Sequence, residues 1–572
     1  MHIRAKLAAL APSAQKPIPL WFLFPPLFVA IYLSHWSLLR LPYFWDEAGY
    51  YIPAALDFFH TGALIPFSTV TNAHPPLPSV LLSAWWHLAG TGIGDTRAFL
   101  CMVAAAALLG VFRLARLLVD TPVAALVTAL TALYPVWFVQ STLAHADLFA
   151  AAFTLWALSF YFERWGNPTS LRLDTFRSLS CISILFSLAA LSKETAIVTP
   201  VALGVWEMFQ SIRRRRQSYT RNADVPNLAR IGALFAPILP LSLWFLYHYL
   251  HTGFIFGNPE FLRYNATANL SLVRVLISLW HRSVHLAVHM NMFVPTLATA
   301  AVLLMPALSM PYIEARSSRA LSRPALLAFG VIVSSNALAF SVLGGALLTR
   351  YLLPLYPLVL LIFVALWYQR VKAWWWIGAL SAAAFFFGLW INPPYPFAPE
   401  DNLTYRDMVV LHQQAAQIIE NRFPGATVLT AWPGVAELQH PYLGYTRTPI
   451  DIVAIDNFSL KQIEKAVSNP TLYDTAFVFS TKWVPPSGQI NFARRNKSTD
   501  TRLYDFHDDL HPDAIAQLLR GEIVWQAYRH GEWAAILRFP RVAEALLSFP
   551  LSAQNSHPLR LPPQHASRAN DL

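Results

Sequence analysis

The chain reads as a polytopic α-helical membrane protein, with about eleven transmembrane helices plus juxtamembrane helices, that ends in a small C-terminal extracytoplasmic α/β domain. Three observations predict this. Hydrophobic residues make up 55% of the 572 and charged residues only 13%, with a mean hydropathy of +0.41, too apolar for a soluble globular protein. The Lys and Arg residues stand in short runs between apolar stretches, which is the pattern of cytoplasmic loops. The long apolar runs stop after Asn392-Pro393-Pro394-Tyr395-Pro396, where polar sequence begins to alternate with apolar. A net charge of +11 could suggest nucleic acid, but its placement in those loops assigns it to membrane topology, and no nucleic-acid partner is implied. Cys101 and Cys181 both fall in apolar stretches and imply no disulfide framework.

Arg4, Lys6 and Lys16 precede an apolar run over 19–39 that is of spanning length and lacks a small-residue cleavage site, so a retained first helix with a cytoplasmic N-terminus is expected. Further spans, each needing about 20 apolar residues, are expected near 98–117, 121–140, 147–163, 178–192, 195–211, 231–250, 286–310, 325–345, 352–368 and 373–391. The segment over 75–90 decides the topology. If it crossed, Asp46 and Asp147 would lie on opposite sides. The basic groups at Arg113 and Arg116, at Arg164, Arg172 and Arg177, at 213–216 with Arg221, at Arg316, Arg319 and Arg323, and at Arg370 with Lys372 would then not all be cytoplasmic. It is short, opens on prolines and carries Trp85-Trp86-His87, so a juxtamembrane helix is expected. The loops holding Asp46, Asp147, Lys193 and Arg350 then share the outer face with everything after Pro393. An ordinary hairpin that leaves Asp147 cytoplasmic is the competing topology. The uninterrupted outer region and sparse glycosylation sequons fit a bacterial inner membrane with a periplasmic C-terminal domain.

Residues 1–392 are therefore read as the membrane domain, 393–551 as the outer domain and 552–572 as a disordered tail containing Pro, Ser and Arg. In the outer domain, periodicity predicts helices over 405–421 and 460–467, strands over 426–432 and 476–480, and a hairpin of 522–528 with 533–539 around His530-Gly531. The chain shows no internal repeat, and the outer domain no glycine-rich phosphate loop.

Four polar clusters carry the chemistry: Trp45-Asp46-Glu47, His74-Pro75-Pro76-Leu77, His145-Ala146-Asp147 and Lys193-Glu194-Thr195. Ionisable groups kept at a membrane boundary point to function. Asp46 and Glu47 follow the first helix, where both acids are expected to face water and one could act as general base on an acceptor; a solvated helix-end pair is the plainer alternative. His74 is presented by Pro75-Pro76, which force an extended entry, and could bind phosphate or serve structure. His145 and Asp147 could contact substrate, although Asp147 also suits a helix N-cap. Lys193 could neutralise a lipid phosphate or pair with Glu194. Arg350 could grip phosphate bidentately or only snorkel. His281, His285 and His289 recur every four residues and could line one helix face, as metal ligands or as an interfacial stripe. Asn265-Ala266-Thr267 fits a glycosylation sequon, a pattern frequent by chance.

In this order the clusters resemble the GT-C superfamily of membrane glycosyltransferases, especially the branch of protein O-mannosyltransferases and lipid A aminoarabinose transferases. The matching elements are Asp46-Glu47 after the first helix, Pro75-Pro76-Leu77, the acid Asp147 in the next outer loop, and the cations Lys193 and Arg350. The resemblance implies a sugar donor linked to a polyprenyl phosphate, an acceptor that is a lipid, glycan or protein, and inverting transfer at the outer face of the membrane. It makes Asp46 the base, has Glu47 and Asp147 orient the substrates, and gives Lys193 and Arg350 the leaving phosphate, with His74, His145 and Glu194 as further substrate contacts. It implies no metal cofactor in these branches, a divalent cation remaining open. The aminoarabinose transferases carry Lys where this chain has His74, which puts phosphate contact there and a lipid A acceptor in doubt. A transporter or lipid flippase, which would use polar groups near the midplane and inverted repeats, and a non-catalytic envelope assembly protein are the alternatives.

Overall fold

In lipid every backbone polar group must be satisfied within its own segment, so an apolar chain of this kind folds as helices. The computed structural model describes residues 19–69, 71, 74–166, 172–217, 225–257, 259, 271–306, 321–343, 347–483, 501–503 and 507–539. Arg4, Lys6, Lys16, Arg221, the Asn265-Ala266-Thr267 sequon, Arg316, Arg319 and the tail over 552–572 lie outside the described residues, as do the side chains of Arg164, Arg172 and Arg214, Arg215 and Arg216.

The first helix, α1, covers only Phe24–Ser34, shorter than the run over 19–39 suggested. Pro25 and Pro26 are tolerated because the first turn has no hydrogen bonds to lose. It stops where His35 folds back, with Nδ1 2.8 Å from the Ile31 carbonyl and Nε2 2.8 Å from that of Phe138. A π turn over Glu47–Tyr51 then leads into α2, Ile52–Thr61. Helix α3, Leu77–Ala89, has 13 residues, about 20 Å at 1.5 Å per residue, against the roughly 30 Å of hydrocarbon in a bilayer.

The longest helix, α4 at Ile93–Leu118, packs against α7 at Ala146–Gly166. Gly110 permits the approach: a Cβ there would stand 3.0 Å from Cδ1 of Trp156, whose Nε1 donates to the Ala106 carbonyl at 2.8 Å. Between them the apolar stretch over 121–140 is divided at Tyr134 into α5, Thr121–Leu133, and α6, Pro135–Gln140. Then follow α8 at Arg172–Ser192, α9 at Val198–Gln217, α10 at Val225–Phe235 and α11 at Ile238–Thr252.

The span expected over 286–310 is instead two elements, α12 at Leu272–Ala287 and α13 at Phe293–Leu304. Met290 and Asn291 between them are left-handed, with φ of 46° and 65°, which breaks the helix. Side-chain bonds hold this break: Met290 N donates to the Tyr395 hydroxyl at 3.1 Å and Asn291 Nδ2 to the Ala384 carbonyl at 2.7 Å. Helices α14 at Arg323–Leu343, α15 at Tyr356–Arg370 and α16 at Trp374–Gly388 complete this region. Among the described residues four stretches are long and apolar enough to cross a membrane, Ile93–Leu118, Glu194–Arg213, Leu228–Thr252 and Arg323–Leu343, and six further apolar helices are shorter.

The C-terminal region contains α17, Thr404–Arg422, and builds one mixed five-stranded sheet. Strand β1 (Val428–Ala431) pairs in parallel with β2 (Ile452–Ile455) and β3 (Thr475–Phe479), while the hairpin of β4 (Glu522–Arg529) and β5 (Glu532–Arg538) adds antiparallel to β3. Every residue of β1 and β3 is buried, as central strands covered on both faces should be. Helix α18 (Gly434–Gln439), α19 (Leu460–Val467) and α20 (Pro512–Leu519) fill the connections.

Candidate active site

The chain folds so that four separate segments deliver side chains to one point, the guanidinium of Arg350. It sits in a 3₁₀ turn, Thr349–Leu352, between α14 and α15. Its Nη2 donates to Asp46, its Nη1 donates to Glu400 Oε2 at 2.6 Å, and its Nε lies 3.4 Å from Asp147 Oδ2. Lys193 closes the group by donating to Asp147 Oδ1 at 2.6 Å, with its ammonium 4.0 Å above the ring of Tyr351. Asp46 and Asp147 therefore meet at the same guanidinium.

Burial separates the members. Of the three carboxylates around Arg350, Asp46 has a side chain 20% exposed, Asp147 3% and Glu400 5%. Asp46 is thus the most solvent-accessible acid of the three. Burial pushes the Glu400 carboxyl up to about 8; Arg350 draws it back, and Asp46, Asp401 and Asp147 add to the rise. At neutral pH Glu400 then holds its proton, and two cations face two carboxylates. His145 is buried 3.3 Å from Arg350 Nη1, with its Nδ1 2.8 Å from Gln140 Oε1. Burial, with Arg350 and Lys193 beside it, pushes this imidazole well below its ordinary pKa and keeps it neutral.

Glu47 does not face water as the sequence suggested; its side chain is 0% exposed. It meets Arg97, whose Nη1 and Nη2 reach its two oxygens at 2.5 and 2.9 Å. The same carboxylate accepts from the Ala144 and Phe44 amides at 2.5 and 2.9 Å, while Arg97 also donates to the carbonyls of Thr142 and Pro42 at 2.5 and 3.0 Å. This pair ties the loop carrying Asp46 to the loop carrying Asp147. The reason is local: Trp45 is left-handed at φ 45° and the π turn starts immediately after Asp46, so adjacent acids leave the backbone in different directions.

His74 and Glu194 form their own pair at 2.9 Å, beside the cluster, with side chains 20% and 28% exposed. The ring of Tyr51 bridges the two sites, 6.1 Å from that of His74 and 6.0 Å from that of His145. His281 and His285 lie on α12 and His289 beyond its end, where His289 Nε2 is 2.9 Å from Asp401 Oδ2. Among the described residues no group of three or more His, Cys, Asp or Glu is arranged to hold a metal.

Sequence reasoning missed Arg97, Glu400 and Asp401. The last two occupy a 3₁₀ turn, Pro399–Asp401, at the entrance to the outer domain. Glu400 bonds Arg350 while Asp401 accepts from the neighbouring Thr349 hydroxyl, so two consecutive residues clasp two consecutive residues across the domain boundary. An acid pair immediately after the proline-rich boundary was the available signal.

Comparison with known proteins bears on this arrangement. Residues 73–244 match the model of the dolichyl-phosphate-mannose-protein mannosyltransferase family, a stretch that contains His74, Asp147, Lys193 and Glu194. No curated protein matches the chain in sequence. The crystal structure of ArnT from Cupriavidus metallidurans in the apo state superposes with a TM-score of 0.51 at 15% identity, over 90% of this chain and 97% of that one. The chain shares the fold of ArnT. ArnT bound to undecaprenyl phosphate gives 0.49 at 15% identity over 90% and 98% of the two chains. The S. cerevisiae protein O-mannosyltransferase complex Pmt1-Pmt2, bound to the sugar donor, gives 0.33 at 18% identity over 44% and 35%. In this chain the C-terminal region is not separate from the cluster, since Glu400 comes from the turn that leads into it.

Proposed function

We propose that the protein is a membrane glycosyltransferase that moves a sugar from a polyprenyl-phosphate donor to an acceptor at the outer face of a bacterial inner membrane, with inversion. The observation that carries this is the convergence on Arg350 of three acidic side chains from three segments, one of them open to solvent and one paired with Lys193. The match of residues 73–244 to a family named for a lipid-phosphate-linked sugar supports the donor class.

In this reading Asp46 accepts the proton of the attacking acceptor group, which displaces the donor's phosphate at the anomeric carbon in one step. Arg350, bonded to Asp46 and Glu400 and 3.4 Å from Asp147, orients Asp46 and Asp147. An ammonium has three donors, and Lys193 spends one on Asp147, so it is the cation for the departing phosphate. His74 and Glu194 stand at the edge where the donor would enter. Residues 393–551 form the periplasmic domain, whose first turn supplies Glu400.

The test uses the full chain, purified in detergent and supplied with polyprenyl-phosphate sugars and envelope acceptors. Transfer by the wild type and its loss in Asp46→Asn, with folding retained, is the expected result; transfer by Asp46→Asn at the wild-type rate overturns the assignment.

A further inference from the structure

The turn that carries Asp46 is held on one side by Arg97 and on the other by the outer domain. Tyr43 shows the second grip: its amide donates to the Leu443 carbonyl at 3.1 Å, and its own carbonyl accepts from the Tyr445 hydroxyl at 3.2 Å. Between those two residues Gly444 is left-handed at φ 96°, and a Cβ there would stand 2.7 Å from Cδ1 of Ile93, so this loop closes tightly on the membrane domain.

Trp432, just after β1, makes the nearer contact. A Cβ built on Gly49 would overlap the six-membered ring of the Trp432 indole, and that indole also lies 5.6 Å from the ring of Tyr50. Gly49 lies inside the π turn, two residues from Glu47 and three from Asp46, and the Thr69 hydroxyl donates to its carbonyl at 2.5 Å. A π turn is rare and is found frequently at functional sites. The indole occupies the space that any side chain at position 49 would need.

We propose that Trp432 is a positioning residue for the reacting carboxylate: seated on Gly49, it sets the π turn that aims Asp46 away from Glu47 and into the Arg350 cluster. This rests on the glycosyltransferase reading for its consequence, while the contact stands on geometry alone. The outer domain thereby shapes the site as well as supplying Glu400 to it.

The experiment compares Gly49→Ala, Trp432→Ala, the double variant and Trp432→Phe in the full chain, reading kcat, KM and melting temperature. Displacing a reacting group by an ångström costs about 100-fold. Gly49→Ala is expected to lose about that much in kcat, and Trp432→Ala about tenfold, with KM for the donor unchanged. The double variant should return from the Gly49→Ala level to that of Trp432→Ala, because the overlap is gone, and Trp432→Phe should keep part of the activity. A double variant as impaired as Gly49→Ala, or a kcat untouched by Trp432→Ala, overturns the proposal. A wild type that transfers no sugar overturns the functional reading alone. In that event recovery of the Gly49→Ala melting temperature in the double variant upholds the seat, and failure to recover overturns it.

Discussion

Asp46 and Glu47 are neighbours of the same charge, yet one belongs to an open cluster and the other to a closed one. Around Arg97 a single carboxylate meets a single guanidinium, and each carboxylate oxygen also takes a backbone amide, with both side chains at or below 1% exposure. Around Arg350 two carboxylates and the protonated Glu400 share one guanidinium, Lys193 is drawn in, and Asp46 remains one-fifth exposed. The closed pair presents no exposed group to a ligand, its one donor without a hydrogen-bond partner, Arg97 Nε, being buried. The open one is over-supplied with acid and keeps an edge toward solvent, which costs stability and leaves groups free to exchange partners with a substrate. An Asp-Glu pair is therefore not one functional unit here.

The contrast is broken most severely at the closed pair. Removing one partner of a buried ion pair costs about 3–5 kcal/mol, so Arg97→Ala is expected to leave little folded protein in the membrane, as read by yield and size-exclusion profile. A well-folded Arg97→Ala chain would show that the pair is dispensable. At the open cluster, Asp46→Asn should keep the melting temperature and lose about 100- to 10,000-fold in transfer rate, the range of general base catalysis. Lys193→Ala should raise the donor KM by about tenfold or more, since a hydrogen bond to a charged group contributes about 1.5–3 kcal/mol. An unchanged KM would confine Lys193 to holding Asp147.

The smallest effect concerns the proton on Glu400. With its pKa raised in the fold from 4.5 to about 8, the folded chain keeps a proton that the unfolded chain releases. That contribution to stability is complete below pH 4.5 and is lost as pH rises to about 8, with a slope of at most about 1.4 kcal/mol per pH unit. Glu400→Gln should flatten the fall in melting temperature over that window relative to wild type. Identical pH profiles would mean that Glu400 is ionised beside Arg350.

Much of the fold was legible because its signals are local. Apolar runs located most helices, and in the outer domain the helix at Leu460–Val467 and the hairpin partners are where alternation and the His530-Gly531 turn put them. The strand Ile452–Ile455 escaped because it is short, lies at a sheet edge with three residues half-buried and Ala454 exposed, and shows no alternation of polar and apolar residues. The break at His289, Met290 and Asn291 escaped because its causes are distant: the partners of these residues are Asp401, Tyr395 and Ala384. Site residues divide in the same way. Asp46, His74, Asp147, Lys193 and Arg350 stand out as polar residues at the ends of apolar runs. Arg97 resembles any arginine near a helix start until its acid, fifty positions earlier, is beside it.

The clasp of Thr349-Arg350 with Asp401-Glu400 has a consequence for building hybrids. A designer exchanging outer domains between related chains would naturally cut at the proline-rich boundary near Pro393, and would then import a foreign turn in place of Glu400 and Asp401. Such a hybrid strips Arg350 of one acid and Thr349 of its acceptor, however well the new domain folds. The seam for a functional graft lies beyond Asp401, at the first turn of the helix that begins with Thr404.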